Sequence, residues 1–311
     1  MSSVPLSKKI AFVAITLLFL STLCPVIHKV HAQNKPVGNT QDIDTADFQK
    51  GMDAYNKKQY AQSLPWFQKA ASKGNIEAMN KIGDIYQEGF PTDFKKAMQW
   101  YQKAANKGND EAMYNIGILY KDGYGVPQDY KKAMQWLQKA VDKGNVNAMV
   151  YIGILYEYGQ GGVAQDNKQA IQWFQKAADK GNVRAMVYIA GIYETGGGGP
   201  PDFKKAMEWY QKAADKGSAD AMYLIGVMYD NGVGVPQDYK QAVEWYQKAV
   251  TANKGAISKE GISYLDTIIG NMYAAGEGVP KNQDTAIFWW KKAAALGNQT
   301  AIAKLRQSQT R

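Results

Sequence analysis

One cysteine and two histidines are the residues of this 311-residue chain best suited to nucleophilic, redox or zinc chemistry, and all three fall within the first 31 positions: Cys24, His28 and His31. Beyond them the sequence holds neither residue type. That removes disulfides, Cys/His zinc sites, thiol nucleophiles and imidazole bases from the rest of the chain. Carboxylates remain, and a pair of them can cleave a glycoside. Asp93, Asp129, Asp166, Asp202 and Asp238, however, recur at one point of a repeating pattern, where helix capping accounts for them. Gly123-Tyr124-Gly125 and Gly232-Val233-Gly234 invite comparison with a phosphate cradle, but neither leads into Gly-Lys-Ser/Thr. Their recurrence marks them as turns. No catalytic residue, cofactor or metal ligand is expected, and the chain reads as non-enzymatic.

The formal charge is +9, carried by 34 Lys and only three Arg (Arg184, Arg306 and Arg311). Nucleic-acid readers favour Arg for bidentate and stacking contacts, so a nucleic-acid partner is not expected. The Lys residues recur at fixed places, such as Lys103 and Lys107, where they suit a helix C-terminus and a solvated face. An attraction to anionic envelope polymers or lipid headgroups is the alternative use of that charge.

Residues 1–32 read as an export signal. Lys8 and Lys9 precede the uncharged, mostly apolar run Ile10 to Leu23, and Val30-His31-Ala32 offers small residues at the cleavage spacing. The expected location is therefore periplasmic or secreted, with a retained N-terminal anchor or a lipidated Cys24 as alternatives. Cleavage after Ala32 would remove Lys8, Lys9 and Lys29 and lower the charge to +6. Residues 33–45, rich in Asn, Gln, Asp and Gly, read as a disordered linker.

The elements that carry everything else are set by two residue series. Trp66, Trp100, Trp136, Trp173, Trp209, Trp245 and Trp289 are spaced by 34, 36, 37, 36, 36 and 44 residues. Gly83, Gly117, Gly153, Ala190, Gly226 and Gly270 drift in step with them. Between the two series lies a pair of amphipathic helices per repeat. In one repeat Ala112, Met113, Ile116, Gly117 and Tyr120 share a side of the first helix, which Asn109 caps. Asp129 caps the second, Tyr130 to Lys143, whose stripe is Ala133, Trp136, Leu137, Ala140 and Val141. Gly144 ends it. A hairpin of this kind cannot bury its stripe alone, so the hairpins must stack into one core, with the seven Trp as structural core residues.

The predicted organisation is an N-terminal half-unit over 46–75, six repeats at about 76–109, 110–145, 146–182, 183–218, 219–264 and 265–297, and a terminal helix over 299–311. The long last interval, around Thr251 to Tyr264, is expected to add helix length.

The pattern Ala112…Gly117-x-x-Tyr120-x-x-Gly123-x-Gly125-Val126-Pro127-x-Asp129-x-x-Lys132-Ala133-x-x-Trp136…Lys139-Ala140…Gly144 resembles the Sel1-like repeat family, relatives of the tetratricopeptide repeat. The resemblance implies an all-α fold, a right-handed α-solenoid of helix-turn-helix repeats, and work as an adaptor or scaffold for another protein or peptide. A cysteine-rich subgroup linked to β-lactams has paired Cys in each repeat, and this chain lacks them. The resemblance also implies which positions line a concave face. Three residues before the Gly stand Asn80, Tyr114, Val150, Val187 and Tyr223, and one residue after it Asp84, Ile118, Ile154 and Val227. These nine are the candidate partner-binding residues, apolar in the central repeats and polar near the ends. The alternative is that they only pack against neighbouring first helices.

Overall fold

The computed structural model describes residues 45–309 except 90, 161, 198, 254 and 256; the segment read as an export signal, 1–32, and most of the expected linker lie outside the described residues. These residues form fifteen helices and, among them, no strand. They fall into two compact units, divided after Lys180.

The N-terminal unit contains α1 (Thr45–Asn56), α2 (Tyr60–Ser72), α3 (Ile76–Glu88), α4 (Phe94–Asn106), α5 (Asp110–Asp122), α6 (Tyr130–Asp142), α7 (Val146–Tyr158) and α8 (Asn167–Asp179). The C-terminal unit contains α9 (Val183–Thr195), α10 (Phe203–Asp215), α11 (Ala219–Asn231), α12 (Tyr239–Ala252), α13 (Lys259–Ala275), α14 (Gln283–Ala295) and α15 (Gln299–Gln309). Within each unit successive helices pack on one another as stacked hairpins, odd-numbered helices leading and even-numbered helices returning. The N-terminal half-unit is itself a pair of helices, α1 and α2. The long interval is taken up by α13, 17 residues against the usual 13, together with the connection Asn253 to Ser258.

Capping starts these helices where the sequence placed them. Asn109 accepts the Ala112 amide at 2.7 Å and Asp129 the Lys132 amide at 2.9 Å. The Asn caps also tie repeats together: the Asn145 amide donates to Asp110 at 2.9 Å. Gly123 closes α5 at φ 72°, a left-handed turn that a side chain would strain.

The core differs from the predicted one by a single residue. Trp66, Trp100, Trp136, Trp173, Trp209, Trp245 and Trp289 are all half-buried, not core. The residue after each is the buried one: Phe67, Tyr101, Leu137, Phe174, Tyr210, Tyr246 and Trp290, at most 4% exposed. The reason is what faces it. A Cβ placed on Gly117 would sit 2.9 Å from Leu137, and one on Gly226 2.6 Å from Tyr246. The glycine series is thus the socket into which this second-helix residue is pressed. The Trp lies beside that contact, under a lysine three residues on, with Nζ 3.9 to 4.2 Å from the ring centroid in six of the seven pairs. Lys103 therefore covers Trp100. The tyrosines three residues after the Gly, such as Tyr120, are likewise half-buried.

Charge follows the same layering. In the seven hairpins the first helix carries a net charge between 0 and −2 and the second between +1 and +3, the extreme being α4 with Lys95, Lys96, Lys103 and no acid.

Candidate functional site

The nine candidate partner-binding positions separate by exposure. Asn80, Asp84, Val150, Ile154, Val187, Tyr223 and Val227 are buried, while Tyr114 and Ile118, both on α5, are half-exposed. The buried seven cannot serve as open anchors. At the position after the glycine, or one turn beyond it, an acceptor is present wherever the socket residue has a polar tip. Tyr101 donates its hydroxyl to Asp84 at 2.9 Å, and Trp290 donates its ring N–H to Asn271 at 3.1 Å. Tyr210 and Tyr246 reach acids one turn further along, Glu194 at 2.6 Å and Asp230 at 3.1 Å. Where the socket residue has no polar tip, Leu137 and Phe174, the position after the glycine is Ile118 or Ile154. Burial of a hydroxyl or indole N–H demands an acceptor, and that requirement sets the pattern.

Around Asp84 this requirement has grown into a polar nest on α3 and α5. Lys81 Nζ lies 2.9 Å from Asp84 Oδ2 and 4.0 Å from Glu77 Oε1. Asn115 Nδ2 reaches Asp84 Oδ1 at 3.4 Å and Asn80 Oδ1 at 3.5 Å. Tyr55 of α1 holds its ring 5.6 Å beneath Lys81 Nζ. Burial opposes the Lys81 charge, but Asp84 and Glu111 outweigh it and hold its pKa above the ordinary lysine value. Burial pushes Glu111 up to about 7 against the lowering pull of Lys81, with Asp84 and Glu77 adding to the rise. Glu77 is raised for the same first reason. Glu77, Glu111, Tyr114, Asn115 and Ile118, all half-exposed, form the rim of the nest. Across Glu77, Lys81, Asp84, Asp110 and Glu111 one cation faces four acids.

Sequence reasoning found Asn80, Asp84, Tyr114 and Ile118 but missed Lys81, Glu77 and Glu111. A signal was present. Two residues before the glycine series stand Lys81, Asn115, Tyr151, Tyr188, Leu224 and Ile268, so Lys81 is the one charged residue at that position.

Among the described residues no group of three His, Cys, Asp or Glu side chains is placed to hold a metal, and no helix is long and apolar enough to cross a membrane. In the C-terminal unit an open hollow of ≈ 570 Å³ lies between Met222, Glu244, Gln247, Lys248, Thr251 and Ala252.

The repeat geometry has a counterpart among known families. The Sel1 repeat matches seven segments: 56–75, 76–109, 110–145, 146–182, 183–218, 219–254 and 268–298. The chain belongs to the Sel1 repeat family. A Sel1 repeat protein from Oxalobacter formigenes is 31% identical, with a TM-score of 0.66 over 84% of this chain and 75% of that one. A protective antigen of uropathogenic Escherichia coli strains, displaying an SLR fold, is 26% identical, with a TM-score of 0.52 over 94% of this chain and 66% of its own. An immunity protein from Pseudomonas aeruginosa, 20% identical with a TM-score of 0.52 over 71% and 85% of the two chains, shares the fold. None of the curated proteins matches the chain. Sel1 repeat proteins are typically non-catalytic scaffolds that bind other proteins.

Proposed function

We propose that the chain is an exported scaffold that binds a protein segment on the first-helix face of its N-terminal unit, at the rim of the α3–α5 nest. The supporting observation is the rim itself. Half-exposed Tyr114 and Ile118 offer apolar contact beside Glu77 and Glu111, two carboxylates raised by burial that share the single cation Lys81 with Asp84. The complementary segment carries a Lys or Arg next to an aliphatic or aromatic residue, so that desolvated carboxylates gain a charge-assisted partner. Export rests on the residues of segment 1–32 alone.

Selection of displayed peptides against the intact protein tests the chemistry. Basic-apolar peptides should be enriched, and their binding should drop about tenfold for each of Glu111→Lys and Tyr114→Ala, roughly 1.4 kcal/mol apiece. Enrichment of acidic peptides, or equal binding by variants that melt like wild type, would overturn the assignment.

A second reading draws on the uniformly positive second helices: attraction of anionic envelope polymers to that layer. Co-sedimentation with cell wall that ignores salt would rule it out.

A further inference from the structure

The C-terminal hairpin departs from the other six at the positions where they are most regular. The residue before the Trp is Gln99, Gln135, Gln172, Glu208 or Glu244 in the central repeats, and Phe288 here. The residue two after it is Gln in every other hairpin, from Gln68 to Gln247, and Lys291 here. Seven after it come Lys73, Lys107, Lys143, Lys180 and Lys216, then Ala252, and Leu296 here.

The consequence is a mixed apolar and basic stripe facing outward. Phe288, Lys291, Lys292 and Ala295 recur at i, i+3, i+4 and i+7 along α14, on the side away from the core residues Ala286, Trp290 and Ala293. Phe288 is 57% exposed, more than any other large hydrophobic side chain described, and Leu296 is 42% exposed. Trp289 stands edge-on to Phe288 with ring centroids 5.6 Å apart.

The charge around the stripe says what covers it. Residues 281–309 contain Lys281, Lys291, Lys292, Lys304 and Arg306, and a single acid, Asp284. Lys292 is partly engaged, 3.4 Å from Asp266 and 4.2 Å over the Trp289 ring, whereas Lys281 and Lys291 are exposed. The occupant must therefore be apolar and anionic at once. It must also meet one helix side, with Phe288 and Leu296 standing out from it, which suits a deformable interface. We propose that the α14 face of the C-terminal unit is a docking surface for an anionic phospholipid layer, with Phe288 and Leu296 entering the acyl boundary and Lys281 and Lys291 meeting phosphates. The inference rests on the second reading above for its electrostatics and adds an apolar anchor that attraction alone does not need.

The test places a polarity-sensitive fluorophore on the full chain in a Cys24→Ser background, at Leu296→Cys or at the equivalent Lys180→Cys. Phosphatidylglycerol–phosphatidylcholine vesicles should shift the emission of the first label to the blue and leave the second unchanged. Adding Phe288→Ser should reduce the apparent vesicle affinity read at position 296 about tenfold, and Lys291→Gln should weaken that affinity while making it less salt-sensitive. Both side chains are exposed, so circular dichroism melts should match those of the unsubstituted chain. Equal responses from the two labels would overturn the anchor. Salt-reversible sedimentation together with such equal responses would overturn it while leaving the electrostatic reading intact. No response at position 296 to any vesicle, with an acidic protein retained instead, would replace the lipid layer by a protein partner.

Discussion

At the scale of single residues, neighbours in sequence do different work. Phe174 fills the socket opposite Gly153 and is fully buried, whereas Trp173 keeps a solvent-facing side under Lys176, 4.0 Å from its centroid. Phe174→Ala should therefore cost about 3–5 kcal/mol in urea unfolding. Trp173→Ala should cost less, because its ring loses only partial burial and a cation–π contact of about 0.5–1 kcal/mol. The reverse ranking would show that the socket is not the core. Glu111 carries a second residue-scale prediction. Its pKa lies near 7 in the folded chain because of burial, against an ordinary value of 4.5. The folded state thus holds a proton that the unfolded chain has released between those values. The stability this contributes is full below about pH 4.5 and is lost as pH rises through 7. Unfolding midpoints should fall across that window and fall less in Glu111→Gln. The capping carboxylates Asp93, Asp129 and Asp202 act at the other end. Amide hydrogen bonds hold them below the usual range, so their contribution is present at neutral pH and lost on strong acidification.

At the scale of helices, the hairpin depends on close approach. A Cβ on Gly226 would stand 2.6 Å from the Tyr246 ring and 3.3 Å from the Ala242 carbonyl oxygen. Gly226→Val should therefore push α11 from α12 and cost about 1–3 kcal/mol by overpacking, despite valine's better helix propensity. A thermal melt equal to wild type would mean the two helices can separate freely. Asn145 binds one helix to the preceding repeat as well as capping its own, accepting from Ala148 at 2.8 Å and donating to Asp110 at 2.9 Å. Asn145→Ala should cost about 1 kcal/mol or more for the cap alone, and Asn145→Asp should restore the cap while losing the bridge. Helix starts, turns and the socket glycines were legible in the sequence, because capping and left-handed turns are decided within a few residues of chain. Which of Trp136 and Leu137 is buried was not, since both lie on the same helical stripe and only the position of Gly117 on the facing helix separates them.

At the scale of the whole molecule, stability in stacked repeats is a sum of local terms and nearest-neighbour interfaces. Phe174→Ala should accordingly speed amide hydrogen exchange in α5 to α8 more than in α10 to α14, since the two sets belong to different compact units. Uniform loss of protection would mean that the chain unfolds as one. The cysteine and histidine count, the 36-residue period and the family pattern were properties of the sequence by itself, and they determined the all-α hairpin repeats and narrowed the chemistry. Which of the expected positions are open depended on the tertiary structure. Seven of the nine are occupied in satisfying or packing the core, and the rim of the Lys81–Asp84 nest and the α14 face are the surfaces proposed for binding. The physical reason is that exposure belongs to no residue type. Asp84 lies buried beneath Tyr101 while Phe288 stands in solvent, because each is placed by what the neighbouring helix presents and not by its own polarity.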